Sequence, residues 1–255
     1  MKNLIKVAFL MTVFLGTTIS TTKASEINQK VVTDTVLYDA QSKIEKALLN
    51  SFKSGKIEPF NVLERQFNVS NNTWKPYWNA YLGFYKSIYY LKVGDKVTCE
   101  KVVKDGISQL EKIAKTSEEY ALLAYLQSFS VQFHKGMEAG FVSSKVKKNA
   151  DKAIALNAKN IRAYFVLGSS DFYTPAAFGG GRKVEEYLTK AISISEKQTQ
   201  DRVLPSWGKD SAYEMLIKFY IKQKKTDLAK KYFADAQKLY PKNYAINDLG
   251  KQIVL

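Results

Sequence analysis

Between Tyr213 and Pro241, apolar residues recur at intervals that suit little besides two packed antiparallel helices. Tyr213, Leu216, Ile217 and Tyr220 share one helical face, and Ala229, Phe233 and Ala236 share a face of the next helix. Small side chains at Ala229 and Ala236 let two helix backbones approach, while the large ones fill the groove beside them. Pro241 ends the second helix, because a proline disfavours the helical region for the residue before it.

Apolar residues at helical spacing continue through most of the chain, and no segment alternates with period two between hairpin turns. Start and stop residues predict helices over 34–53, 58–67, 72–93, 96–115, 117–134, 141–156, 160–173, 183–196, 209–223 and 226–240. Gly94-Asp95, Gly179 to Gly181, Pro205 and Pro241-Lys242-Asn243 fall between them, where a lost amide or a positive φ is tolerated.

The 213–241 intervals resemble the tetratricopeptide repeat, a helix-turn-helix unit written W-x2-L-G-x2-Y, A-x3-F, P. Tyr213 stands for its Trp and Ile217 for its Gly. A looser copy has Tyr164, Leu167 and Gly168 with Val184, Leu188 and Ala191. Earlier ones have Tyr120, Leu123 and Ala124 with Ala150 and Ala153, and Trp78, Leu82 and Tyr85 with Leu110 and Ile113. The opening aromatics lie 42, 44 and 49 residues apart, against about 34 in a strict repeat, so the copies are degenerate. The resemblance implies an all-α helical-hairpin repeat solenoid, a superhelix of about four repeats over residues 72–243. Capping helices are expected over 25–71 and a C-terminal tail over 244–255. The stretch Asp171 to Gly181 is similar to an inter-helix insertion in periplasmic repeat proteins of Bacteroidetes-like bacteria. It is also similar to one in the periplasmic T-component of some solute-uptake systems, which implies a ligand role.

Residues 1–24 have the layout of a secretory leader: Lys2 and Lys6, an apolar run from Val7 to Leu15, then small polar residues ending at Ala24. A membrane span is the alternative, but Lys6, Thr12 and Gly16 to Thr18 interrupt a run that would need roughly 20 apolar residues. The expectation is export, with cleavage near Ala24, to the periplasm or the exterior. Cys99 is the sole cysteine, so packing rather than disulfides must stabilise the fold; it reads as a small core residue, with a reactive thiol as the alternative.

The formal charge of +15 drops to +12 without Lys2, Lys6 and Lys23. Only four of the 39 basic residues are Arg, which argues against nucleic acid, where the guanidinium fork is favoured. Lysines interspersed with acids, as in 222–231, suit solvated helix faces, with an acidic partner or an anionic envelope surface as the alternative. Membrane contact is expected to be at most peripheral.

Catalysis finds little support. His134 is the sole histidine, and no Ser or Cys near it has the setting of an activated nucleophile. One His and one Cys give no metal-ligand spacing, so neither a metal nor another cofactor is expected. Gly179 to Gly181 invites a phosphate-loop reading, but Gly181 is followed by Arg182-Lys183-Val184 where Lys-Ser/Thr is needed, and no strand is expected before it. The insertion instead reads as a tight excursion in which the glycines take up positive φ and close backbone approach while Phe178 packs back as an anchor; a positive φ at Gly180 would make a branched side chain there disruptive. The alternative is an anion held by backbone amides beside Arg182 and Lys183.

In the tetratricopeptide family the first helix of each pair lines a concave face. The resemblance therefore implies a partner-binding face that includes Tyr125, Phe129, Arg162, Phe165, Ser169, Phe172, Tyr173, Glu214, Lys218 and Lys222. Aromatic anchors among basic residues suit an acidic or amphipathic protein or peptide, unless the degenerate geometry buries those rings in its own core. The expected function is a non-enzymatic exported scaffold; the alternative is a periplasmic small-molecule-binding subunit, with a closed apolar cavity in place of an open trough.

Overall fold

A computed structural model of the chain describes residues 34–195 and 201–253. The leader expected over residues 1–24 lies outside the described residues. Eleven α-helices are present among them: α1 (Ala40–Ser54), α2 (Glu58–Asn68), α3 (Lys75–Lys92), α4 (Lys96–Ile113), α5 (Ser117–Ser130), α6 (Gly136–Leu156), α7 (Ile161–Tyr173), α8 (Val184–Ser193), α9 (Lys209–Lys222), α10 (Thr226–Leu239) and α11 (Tyr244–Ile253). Short 3-10 turns follow α5 at Val131–Phe133 and α7 at Ala176–Phe178. None of these helices is long and apolar enough to cross a membrane.

Local chemistry sets the helix ends. The Asp95 carboxylate accepts the Thr98 N–H at 3.0 Å to start α4, and Asn160 accepts the Ala163 N–H at 3.0 Å to start α7. Thr116 and Glu119 form a reciprocal capping box at α5. Pro59 and Pro76 sit in the first turns of α2 and α3, where the missing amide costs nothing. Helix α1 begins at Ala40 rather than near Asp34 because the Asp34 carboxylate is turned to Ser70 Oγ and the amides of Asn71 and Asn72, and Asp39 has φ 55.

The helices pack as successive hairpins, α1/α2, α3/α4, α5/α6, α7/α8 and α9/α10. Odd-numbered helices touch along one layer, from α1 to α3, α5, α7 and α9. Short turns join the pairs, except for the excursion over 174–183 between α7 and α8, and make them antiparallel, so the odd helices run parallel to one another and line the concave face. This is a helical-repeat solenoid. The repeat positions are interior: Leu216, Ile217, Tyr220, Ala229 and Ala236 are buried, as are Trp78, Leu82, Leu110, Leu123, Ala150, Leu167 and Leu188. Close approach explains Gly168, where a Cβ would lie 2.5 Å from Leu188 Cδ2.

The α1/α2 hairpin packs on α3 like the repeats that follow it. The tail expected over 244–255 is a helix across Tyr244–Ile253: Ile246, Leu249 and Ile253 are buried against α9 and α10. Their spacing of three and four is helical, and Asn243 caps it by accepting the Ile246 N–H at 3.1 Å.

Candidate functional site: the concave face

The α8–α9 connection, residues 194–208, is the structural departure from a plain repeat array. Of its described residues, 201–208 cross the concave face against α1, α3, α5 and α7. Residue by residue, the array grips it. The amide of Asp39 donates to Arg202 O at 2.8 Å, and the Arg202 guanidinium pairs with the Asp39 carboxylate. Trp78 Nε1–H donates to Val203 O at 2.8 Å, and Gln41 Oε1 accepts from Ser206 N and Oγ, both at 3.1 Å. The Trp207 indole, 4% exposed, stacks on Tyr81 and Tyr125 with centroids 5.7 and 5.0 Å away and meets the edge of Phe165 at 6.4 Å. Its Nε1–H donates to Tyr77 Oη at 2.8 Å, and its carbonyl accepts from Arg162 Nη1 at 3.1 Å.

The expected groove residues therefore divide into two groups. Tyr125, Arg162 and Phe165 face this segment of their own chain. Arg162 is further committed to Glu118, Ser169 is buried, and Phe129 packs edge-on to Phe84 at 5.1 Å. At the other end of the face, Phe172 and Tyr173 meet edge to face at 5.1 Å, Lys222 Nζ sits 5.1 Å above the Phe172 ring, and Tyr173 is 67% exposed. Lys218 is paired with Glu214. Lys222 has no carboxylate within 4.0 Å among the described residues.

Tyr77, Tyr81 and Trp207 are site residues that repeat spacing misses, and Trp78, which it locates as a packing position, also bonds the crossing segment. The available signal is composition: Val203-Leu204-Pro205-Ser206-Trp207 is too apolar for a solvated connection. Burial pushes the hydroxyls of Tyr77, Tyr81 and Tyr125 well above the ordinary tyrosine range. Tyr81 and Tyr85 join hydroxyl to hydroxyl at 3.1 Å. On α1, burial first and repulsion from Asp210 second raise the Glu45 carboxyl, although the Gln41 amide donates to it at 3.0 Å. The aromatic middle of the face thus has a carboxyl, Glu45, beside Tyr81 and Tyr85, and the other end carries Lys222.

The insertion between α7 and α8 corrects the role expected of Phe178 and divides the two glycine roles among different positions. Phe178 does not pack back: its ring is 82% exposed. Backbone bonds close the loop instead, Gly179 N–H to Ala176 O at 2.9 Å, Gly180 N–H to Pro175 O at 3.3 Å and Gly181 N–H to Asp171 O at 2.9 Å. Gly179 and Gly181 have φ 86 and 83, but Gly180 is absent from the positive-φ glycines. Its glycine is needed for approach, since a Cβ there would lie 1.9 Å from Thr174 O. At the start of α8 the Asp171 carboxylate takes the Lys183 N–H at 2.7 Å, filling the place where an external anion would bind. Arg182 is exposed beside it.

His134 Nδ1, on a mostly buried side chain, lies 2.9 Å from Oε1 of the exposed Glu138. Among the described residues no group of three or more His, Cys, Asp or Glu side chains converges to hold a metal ion.

The chain is similar in structure to TTC0263, a thermophilic tetratricopeptide repeat protein of Thermus thermophilus. The TM-score is 0.51 at 12% identity, covering 83% of this chain and all of the other. A crystal structure of MamA aligns with TM-score 0.36 at 20% identity, covering 74% of this chain and 91% of that one. No protein-family model and no curated protein matches the sequence. The first likeness, with the hairpin packing, defines the fold as a tetratricopeptide-type solenoid.

Proposed function

We propose that this chain is a non-enzymatic, exported scaffold that binds a protein or peptide partner through its concave face. The observation that carries the reading is the uncovered end of that face, where Phe172, Tyr173 and Lys222 lie together on α7 and α9. An exposed tyrosine and a half-buried phenylalanine, beside a lysine with no carboxylate within 4.0 Å among the described residues, suit an acidic or amphipathic segment, because rings supply contact area at low entropic cost and the lysine supplies charge complementarity. Export rests on the leader-like residues 1–24. A small-molecule carrier would need an open apolar chamber, and the space between Tyr81, Tyr125 and Phe165 is filled by the Trp207 indole.

The test is affinity capture from the native envelope extract with residues 25–255, wild type against Tyr173→Ala/Lys222→Glu, read by mass spectrometry. A protein retained by the wild type and lost by the folded variant supports the reading. Equal retention by both removes this surface from the function.

A further inference from the structure

The α8–α9 connection is much longer than its position requires. The other links from an even to an odd helix, 69–74, 114–116, 157–160 and 240–243, are short, and neighbouring helices are ordinarily joined by about two to eight residues. Helices α8 and α9 pack directly on each other, and Lys209 Nζ donates to Ile194 O at 2.7 Å, so the two ends of the connection lie close together. A short turn would therefore close this hairpin. The chain instead sends residues 201–208 across the concave face as far as the start of α1.

The manner of contact is that of a groove holding a peptide. Side chains of the odd helices bond the main chain of the segment: Trp78 to the Val203 carbonyl, Arg162 to the Trp207 carbonyl and Gln41 to the Ser206 amide. Val203 and Pro205 are buried as well, and the largest side chain, Trp207, enters a slot formed by Tyr81, Tyr125 and Phe165, with Tyr77 Oη at its end to accept the indole N–H. Main-chain bonds supply affinity for any extended chain, and the aromatic slot with its acceptor selects an indole.

We propose that the concave face is a site for an extended, tryptophan-bearing segment of a partner protein, held in cis by residues 201–208 until such a segment displaces them. The proposal rests on the protein-binding reading above and names the partner's chemistry. The exchange is balanced in kind, since the incoming indole and carbonyls take over the same partners. A tethered segment competes at an effective concentration on the order of mM. A partner working at micromolar concentration must therefore hold the face about a thousandfold more tightly than residues 201–208 do, through added contacts such as those at Phe172, Tyr173 and Lys222.

The decisive experiment supplies the segment in trans. Residues 196–207 are replaced by a Gly-Ser linker of about six residues. A fluorescent peptide of sequence Asp201 to Lys209, capped at both ends, is then titrated against this variant and against the intact chain. Saturable binding to the shortened variant, weakened at least tenfold in the peptide carrying Trp207→Ala and absent from the intact chain, is the expected result. A folded variant that ignores the peptide overturns the proposal. So does a variant that cannot fold, because residues 201–208 would then be core and not occupant.

Hydrogen exchange on the intact chain gives a second reading that does not depend on any variant. Amides of 201–208 exchanging through a local opening, at least tenfold faster than those of α5 and α7, support displacement. Exchange only in step with those helices rejects it. Neither measurement needs the natural partner, so failure of the capture experiment above and failure here are separate outcomes.

Discussion

Arg162 joins two repeats and the crossing segment through one guanidinium. It bonds both oxygens of Glu118, with Nη2 2.7 Å from Oε1, while Nη1 bonds the Trp207 carbonyl at 3.1 Å. Both side chains of the ion pair are mostly buried, 12% and 17% exposed. Arg162→Ala leaves Glu118 without its counter-charge and is expected to destabilise by about 3 to 5 kcal/mol. Arg162→Lys should recover only part of this, because an ammonium cannot reproduce the fork. Denaturant unfolding of both variants checks the point; a loss under about 1 kcal/mol would place the pair with ordinary surface pairs.

The register of the last repeat is testable at Ala229, which is 1% exposed. Ala229→Trp should overpack the α9–α10 crossing and cost about 1 to 3 kcal/mol. An unchanged melting temperature would mean that the small residue is not required there.

Gly180 and Arg182 should behave oppositely. A Cβ at Gly180 meets the Thr174 carbonyl, which is backbone and cannot swing aside, so Gly180→Ala is expected to lower the melting temperature. Arg182→Ala, at an exposed position, should leave it within error. The reverse order would show that the loop is held by its cation and not by close backbone approach.

Two carboxyls give pH dependence of opposite sign. Glu45 is raised above its ordinary value of 4.5, by burial first, so the folded state holds its proton more tightly than the unfolded chain does. Its favourable contribution is present below 4.5 and is lost as pH rises through the folded value. Glu45→Gln should therefore be more stable than wild type at neutral pH and converge with it in acid. Asp34 is lowered below 3.8, chiefly by the Ser70 hydroxyl. Its contribution is present above 3.8 and disappears as pH falls through the folded value, so Asp34→Asn should lose stability at neutral pH and match wild type in strong acid. Unfolding curves across the acid range separate the two.

Cys99 is fully buried, and burial raises its thiol above the ordinary value. It should resist a water-soluble disulfide reagent at neutral pH until the chain unfolds. Stoichiometric reaction of the native protein would place the thiol at an opening that the packing does not show.

Much of the scaffold was legible because its signals are local. Asp95, Thr116 and Asn160 announce their helices through side chains that bond amides three residues on, and the intervals from Tyr213 to Ala236 mark one hairpin crossing. The concave face was only half legible. Repeat spacing locates Tyr125, Phe165, Phe172 and Tyr173 on the odd helices, but it cannot indicate that Trp207 lies against the first two. That contact joins residues with no periodic relation, through a connection whose path is set by tertiary partners. The glycine triplet shows a subtler limit. Composition signals an unusual backbone, yet whether a glycine serves φ, as at Gly179 and Gly181, or proximity, as at Gly180, depends on an atom six residues away.

The crossing segment also changes how the array should come apart. In a plain solenoid each repeat touches only its neighbours, and the ends can fray one unit at a time. Here bonds from Asp39 to Arg202, Gln41 to Ser206 and Trp78 to Val203 span 163, 165 and 125 positions in sequence. The first hairpins are thereby tied to the approach to α9, and peeling them away must break contacts near the far end. Melting should be a single cooperative event rather than a series of steps, and the variant with residues 196–207 replaced by a linker should recover the stepwise behaviour of an open zipper.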